Sequence, residues 1–445
     1  MEREAYYISG YASLRFHHTV FKRIRKEMKK MMLLMLLVLC TLTGQAVVQP
    51  TSALVGSWSG KLNAGLVSLR LVLHIEQADG YVVVTLDSPD QGANGLGAYK
   101  EYLSDDSIAV RWDLLKASYH ARLIDGKLDG KFTQNGFSLP LVLTKGLPEV
   151  KRPQEPKPPF PYQTEEVTFR NERDSATLAG TLTWPVDYRA DNKRKPTVVL
   201  LVSGSGQQNR DEELVGHKPF LLIADYLARQ GIATLRYDDR ATAASVGGDM
   251  KNSTTADFMR DAAAGLDFLR SKKAFGKVGI LGHSEGGAIA FMLGAQRKTD
   301  FIVSLAGPGV KLDTLLAAQS NRMLALMGQL PIMTVEKYRQ QTAVQQNPYL
   351  QWLIDYDPSA DIRRTRCPVF ALNGDRDCQV ISSQNLPAIR QLLRKSKRNL
   401  IKEYPGLNHL FQHCTTGLLT EYSQIEETLA PEVLDDISQW ILLLK

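Results

Sequence analysis

The spacing of apolar and polar positions changes character twice along this chain. From residue 54 to residue 143 it repeats with a period near two and is broken by turn dipeptides. That is the pattern of half-buried antiparallel strands, and it predicts strands at 67–75, 81–86, 107–112, 119–123, 127–132 and 139–143. Asp79-Gly80, Asp125-Gly126, Asp129-Gly130 and Asn135-Gly136 supply hairpin signals between them. The expectation over residues 54–145 is a small antiparallel β domain, a barrel or a sandwich. His74 and His120 fall on its strands without Cys or acidic neighbours at metal-ligand spacing, so they read as ordinary strand residues.

The second change follows Pro148 to Pro161, a stretch of six prolines and several charges. Such a composition predicts a stiff, extended linker at 146–162. Beyond it, from residue 163 to 445, two strands at 165–169 and 176–183 lead into an alternation of apolar strands and amphipathic helices. The strands are expected at 197–202, 232–237, 277–281, 301–306, 368–373 and 399–403, and helices at 220–229, 257–269, 287–295 and 385–393. That order predicts an α/β domain whose mostly parallel sheet is covered on both faces. Residues 308–365 are too long for a connection and read as helices inserted over the sheet, a lid. Its Met- and Leu-rich positions, Leu315 to Met333, either pack internally or line an acyl pocket.

Composition narrows the function classes. The chain has 445 residues and a formal charge of +7, which would invite a polyanion partner. Residues 1–46 alone hold eight Lys or Arg against three acids, so most of the excess lies there and a nucleic-acid partner is not supported. Within that stretch Lys29-Lys30 precedes an apolar run from Met31 to Leu42, with Gly44-Gln45-Ala46 after it. This is the pattern of a signal peptide, too short to leave a stable membrane span. Met28 is the more usual starting position for it. Cys40 follows Leu39 rather than a small residue, which disfavours lipidation. The expected location is therefore secreted or periplasmic. Three cysteines remain after the leader, Cys367, Cys378 and Cys414. An oxidising compartment admits a disulfide between Cys378 and Cys414, subject to their distance.

The candidate chemistry centres on Gly282-His283-Ser284-Glu285-Gly286-Gly287. A bare G-x-S-x-G pattern arises by chance about 0.1–0.2 times in a chain this long, so context has to carry it. The context is an apolar run before it and an Ala-rich, helix-prone stretch after it, the strand–turn–helix of a nucleophile elbow. A serine hydroxyl needs a base, and the base needs an oriented acid. Downstream, two strand ends offer them: Gly374-Asp375-Arg376-Asp377 and Gly406-Leu407-Asn408-His409. The order Ser…Asp…His assigns Ser284 as nucleophile, Asp377 as acid and His409 as base. Asp375 is the rival acid, with a turn-forming role as its alternative. His413 is the rival base, expected one turn into a helix. Oxyanion donors are expected from the Glu285 N–H and the Ser205 N–H, with Gly206 second. The small residues around them, Gly204 and Gly206, with Gln207, would face the substrate.

Together with Ser203 to Gly206, Asn209-Arg210-Asp211, Arg236-Tyr237-Asp238-Asp239-Arg240, Tyr356-Asp357-Pro358, Cys367 to Gly374 and Asn408 to Gln412, the serine turn resembles a known family. These motifs are similar to those of secreted α/β-hydrolase esterases related to dienelactone hydrolases and prolyl-oligopeptidase-type enzymes. The resemblance spans about residues 160–445. It implies the α/β-hydrolase fold, hydrolysis of a small-molecule carboxylic ester and no metal or organic cofactor. A small β domain, here lipocalin-like by its strand pattern, also occurs in front of such hydrolases. One departure is visible: the family usually has Gly after the residue matching Arg240, and Ala241-Thr242-Ala243 stands here. Two other functions compete. An oligopeptidase-type serine peptidase would usually carry a large β-propeller, for which the 54–145 segment shows no blade repeat. An exported, non-catalytic ligand-binding protein is the third.

Overall fold

The computed structural model describes residues 53–64, 67–78, 81–88, 93–147, 151–191 and 195–444, which form two compact units dividing between Lys151 and Arg152. The signal-like stretch at residues 29–46 lies outside the described residues.

The first unit is one antiparallel sheet of nine strands: β1 (Gly56–Ala64), β2 (Val67–Ala78), β3 (Tyr81–Ser88), β4 (Ala93–Gly97), β5 (Tyr99–Leu103), β6 (Ser107–Trp112), β7 (Ala117–Ile124), β8 (Lys127–Gln134) and β9 (Phe137–Lys145). Its order is β4-β3-β2-β1-β9-β8-β7-β6-β5, so β9 returns to pair with β1. The two edge strands, β4 and β5, are separated in the chain by Ala98 alone. The sheet is thus a nearly closed barrel whose seam is bridged by a bent strand. Trp58, Leu73, Ile75, Val110, Tyr119 and Leu128 fill its interior. Asp125-Gly126 and Asn135-Gly136 turn with both residues at positive φ, as two-residue hairpins require. Asp129-Gly130 does not turn; it lies inside β8. A Cβ on Gly130 would fall 2.1 Å from the His120 carbonyl, so that glycine serves a close strand approach instead.

The second unit is built on a mostly parallel sheet. Its strands are β10 (Thr164–Asn171), β11 (Ala176–Thr183), β12 (Val198–Val202), β13 (Ala233–Tyr237), β15 (Val278–His283), β16 (Ile302–Leu305), β17 (Val369–Gly374) and β18 (Leu400–Tyr404). They lie in the order β10-β11-β13-β12-β15-β16-β17-β18, with a short β14 (Val246–Gly247) beside β11. From β13 onward every pairing is parallel. In the parallel strands side chains alternate between two cores, as the period of two demands. Val198, Leu200 and Val202 face one, together with helices α2 (Thr255–Ser271), α3 (Glu285–Ala295), α7 (Ser359–Arg364) and α8 (Ser382–Leu392). Val199 and Leu201 face the other, with α1 (Pro219–Arg229) and α10 (Pro431–Leu443). This is the expected α/β-hydrolase fold. The intervening insertion holds α4 (Leu312–Leu326), α5 (Val335–Val344) and α6 (Pro348–Asp355), and α9 (Leu419–Tyr422) precedes α10. Met327 and Leu330, two of the expected pocket-lining positions, are on the surface.

The proline-rich segment is no free spacer from Arg152 onward. Arg152 donates to the carbonyls of Val215 (2.9 Å), Gly216 (3.2 Å) and Ile425 (3.0 Å). Gln154 bonds the Leu429 carbonyl and the Thr428 N–H, and Glu155 pairs with Lys218.

Candidate active site

Parallel strands end on one edge, and loops from β12, β15, β17 and β18 meet there. Ser284 sits between β15 and α3 at φ 52°, ψ −114°, a strained conformation for a residue with a Cβ. Two backbone bonds hold it: Ser284 N–H to Leu305 O (2.8 Å) and Gly287 N–H to Ser284 O (2.9 Å). The flanking glycines are dictated by contact distance. A Cβ on Gly282 would lie 1.9 Å from the Gly286 carbonyl oxygen, and one on Gly286 would lie 2.2 Å from the Val202 carbonyl oxygen. No other residue allows so sharp a bend.

The β17–β18 register brings the two remaining loops side by side, with Gly374 opposite Tyr404. His409 Nδ1–H donates to Asp377 Oδ2 at 2.7 Å, and both side chains are buried. The other Asp377 oxygen accepts the backbone N–H groups of Gln379 (2.7 Å) and Val380 (2.9 Å). The carboxylate is therefore aimed by its own loop, and it fixes the tautomer that leaves His409 Nε2 free to take a proton. Asp375, the rival, accepts the Gly406 N–H and ties the two loops together. His413 is not on a helix: Leu407 and His413 form a β-bridge, and its exposed ring faces Glu427 and Glu432. Asn408, whose side chain accepts from the Leu410 and Gln412 N–H groups, folds this segment into a tight turn in place of a helix.

The oxyanion loop after β12 is anchored on three sides. Ser203 Oγ and the Gln208 N–H donate to Asp239, and the Gly204 N–H donates to Glu212 Oε1 at 2.7 Å. The Gly204 donor is thereby engaged, although this glycine lies against the nucleophile: a Cβ there would be 3.3 Å from the Ser284 Cβ. Among the described residues nothing accepts the Ser205 or Glu285 N–H. Ser205, Gly206 and Gln207 are exposed at the rim, with Gly206 at φ +96°. The Glu285 side chain turns inward, where burial pushes its pKa up, and Tyr349 of α6 donates its hydroxyl to it. The inserted helices thus reach the residue beside the nucleophile.

Two buried polar residues beside the nucleophile, His283 and Glu212, were missed by sequence reasoning. His283 Nδ1 lies 2.9 Å from Glu212 Oε1, and His283 Nε2 lies 3.0 Å from the His409 carbonyl oxygen. The two imidazole rings are 4.8 Å apart. The signal available was a titratable residue at the variable position of G-x-S-x-G. Cys378 and Cys414 are free thiols, each donating to a backbone carbonyl, Gly417 O and Gly406 O. Burial raises their pKa to about 12 and about 11, so both are protonated and unreactive at neutral pH. Among the described residues there is no cluster of His, Cys, Asp and Glu able to hold a metal, and no helix is long and apolar enough to cross a membrane.

Comparison with known proteins gives three findings. Residues 218–371 match the family described as serine aminopeptidase, S33, about a third of the chain. Esterase EstD of Thermotoga maritima is 25% identical over 257 residues, covering 55% of this chain; the chain spans 61% of that protein's length. Among solved structures, the Pyrococcus furiosus esterase Pf2001 covers 66% of this chain and 98% of its own at 15% identity and a TM-score of 0.43. Est1E from Butyrivibrio proteoclasticus covers 62% and 97% at 15% identity and a TM-score of 0.39.

Proposed function

We propose that the protein is a serine carboxylesterase acting on a small-molecule ester. The buried 2.7 Å bond between His409 and Asp377, on the same strand edge as a serine held in a strained elbow, is the observation that carries this reading. Ser284 Oγ attacks the ester carbonyl while His409 Nε2 takes its proton. The negative oxygen of the tetrahedral intermediate accepts from the Ser205 and Glu285 N–H groups. Collapse breaks the ester C–O bond, and His409 returns the proton to the departing alcohol. Water, deprotonated by the same imidazole, then attacks the acyl-enzyme; the acid leaves and Ser284 recovers its hydrogen. All of this uses side chains and backbone alone. The reading extends to an exported enzyme, supported by the basic-then-apolar stretch at residues 29–46.

Hydrolysis of p-nitrophenyl butyrate, compared with peptide anilides, tests it. Ser284→Ala should lower kcat by ~10⁴-fold or more with little change in Tm, and a fluorophosphonate probe should label the wild type at Ser284 alone. Faster anilide than ester turnover would favour a peptidase, and absent labelling with retained ligand binding would favour a non-catalytic role.

A further inference from the structure

The strongest unexplained feature of the site is the polar pair behind the nucleophile. Glu212 reaches from the loop before α1 and is 5% exposed; His283 is 7% exposed. A single oxygen, Glu212 Oε1, already accepts the Gly204 N–H. It also faces His283 Nδ1, while His283 Nε2 faces a backbone carbonyl. A carbonyl oxygen can only accept. An ionised carboxylate that takes a backbone N–H on this oxygen at 2.7 Å accepts from the ring on it as well. Both ring nitrogens must then carry hydrogen, which makes His283 an imidazolium.

We propose that His283 and Glu212 form a buried imidazolium–carboxylate pair that positions the catalytic groups, clamping the His409 backbone on one side and the oxyanion loop on the other. The inference rests on the esterase reading. Neither residue touches the reacting atoms. His283 holds the His409 carbonyl, and Glu212 holds the Gly204 N–H, so one ion pair sets the spacing between base and oxyanion donors. The charged and titratable groups facing His283 are Glu212, His409 and, further off, Asp377. Phe220, Leu305, Leu410 and Phe411 line the rest, around a cavity of about 10 Å³, at the limit for one water. Burial opposes charge on the ring, but the charge and hydrogen bond of Glu212 outweigh it, and the pKa lies above the ordinary histidine value. Because the value is raised, the clamp holds below it and is lost as pH climbs through it.

The test follows kcat and KM for p-nitrophenyl butyrate from about pH 6 to 10 in the wild type, Glu212→Gln and His283→Gln. The wild type should lose kcat/KM on the alkaline side. Glu212→Gln keeps the shape but removes the anion; it should move that fall to lower pH by about one unit or more. It should also reduce kcat by ~10–100-fold while KM changes by less than about twofold. His283→Gln should abolish the alkaline fall. A residue that only packs would lower Tm and leave the limb where it was. An unmoved limb in a folded Glu212→Gln, or a limb retained in His283→Gln, overturns the proposal. If neither variant folds, a ¹⁵N titration of the histidine-labelled wild type from about pH 6 to 10 decides. One ring among the eight histidines that stays doubly protonated above the ordinary histidine range supports the pair, and none overturns it. Failure of the esterase reading is read separately, as a wild type that a fluorophosphonate does not label.

Discussion

Ser284 and Ala241 both stand at positive φ, 52° and 53°, yet for different reasons. The serine is held there by the Leu305 carbonyl and by the α3 turn, and the strain presents its hydroxyl. Ala241 is exposed, and its neighbour Ala243 shares the conformation at φ 48°. This is the place where the resembling family carries glycine. A left-handed L-residue costs about 1–2 kcal/mol, and glycine returns about 0.5–1 of that through the entropy of the unfolded chain. Ala241→Gly should therefore raise Tm by ~1–3 °C in a thermal melt, with ester turnover unchanged; a lowered Tm would mean the loop is not strained. Ser284, Asp377 and His409 stand out in the sequence because each follows a strand and has a glycine within three residues. Glu212 and His283 do not. They are 71 positions apart, and only the fold reveals that one oxygen serves both a ring and the oxyanion loop.

At the scale of elements, the eight main strands of the second unit could be read almost to their ends, because strands covered on both faces are continuous apolar runs. β1 and the β4–β5 bend were not predicted; Ala93-Asn94-Gly95-Leu96-Gly97 has no alternation to read. α10 was missed as well, though its Val433, Leu434, Ile437, Trp440 and Ile441 show the helical spacing and lie buried against the sheet. The oxyanion loop illustrates how an element is held by a neighbour's end. Asp239, two residues past β13, accepts from Ser203 and Gln208, and burial pushes its pKa up to about 8, with Glu285 and Asp261 adding to the rise. The native state thus binds this proton more tightly than the unfolded chain, whose carboxyl titrates near 3.8. Its stabilisation is complete below that value and is lost as pH rises through about 8. Asp239→Asn has no proton to lose, and its amide can still accept from Gln208 and donate to Ser203. The Tm advantage of Asp239→Asn over the wild type should be small near pH 4, grow to several degrees by about pH 8, and level off above it. A difference that stays constant with pH would contradict this.

For the molecule as a whole, the question is where the second unit begins. Composition alone places a stiff linker across the prolines at 146–162, but backbone contacts place the boundary between Lys151 and Arg152. Prolines fix φ and leave carbonyls free, so a proline-rich segment can lie on a surface as readily as cross a gap. Here the Arg152 guanidinium donates to carbonyls at residues 215, 216 and 425, from both the loop before α1 and the segment before α10. These loops flank Glu212 and the α1 start, so the anchor also supports the pair behind the nucleophile. The second unit has its own two cores, and none of their members precedes residue 167. A chain starting at Arg152 should therefore fold and retain the full kcat/KM on p-nitrophenyl butyrate. One starting at Gln163 removes Arg152, Gln154 and Glu155 together. A charged hydrogen bond of this kind contributes about 1.5–3 kcal/mol, so the shorter chain should melt ~5 °C or more below the longer one. Equal melting temperatures for the two would show that the segment lies on the unit without stabilising it.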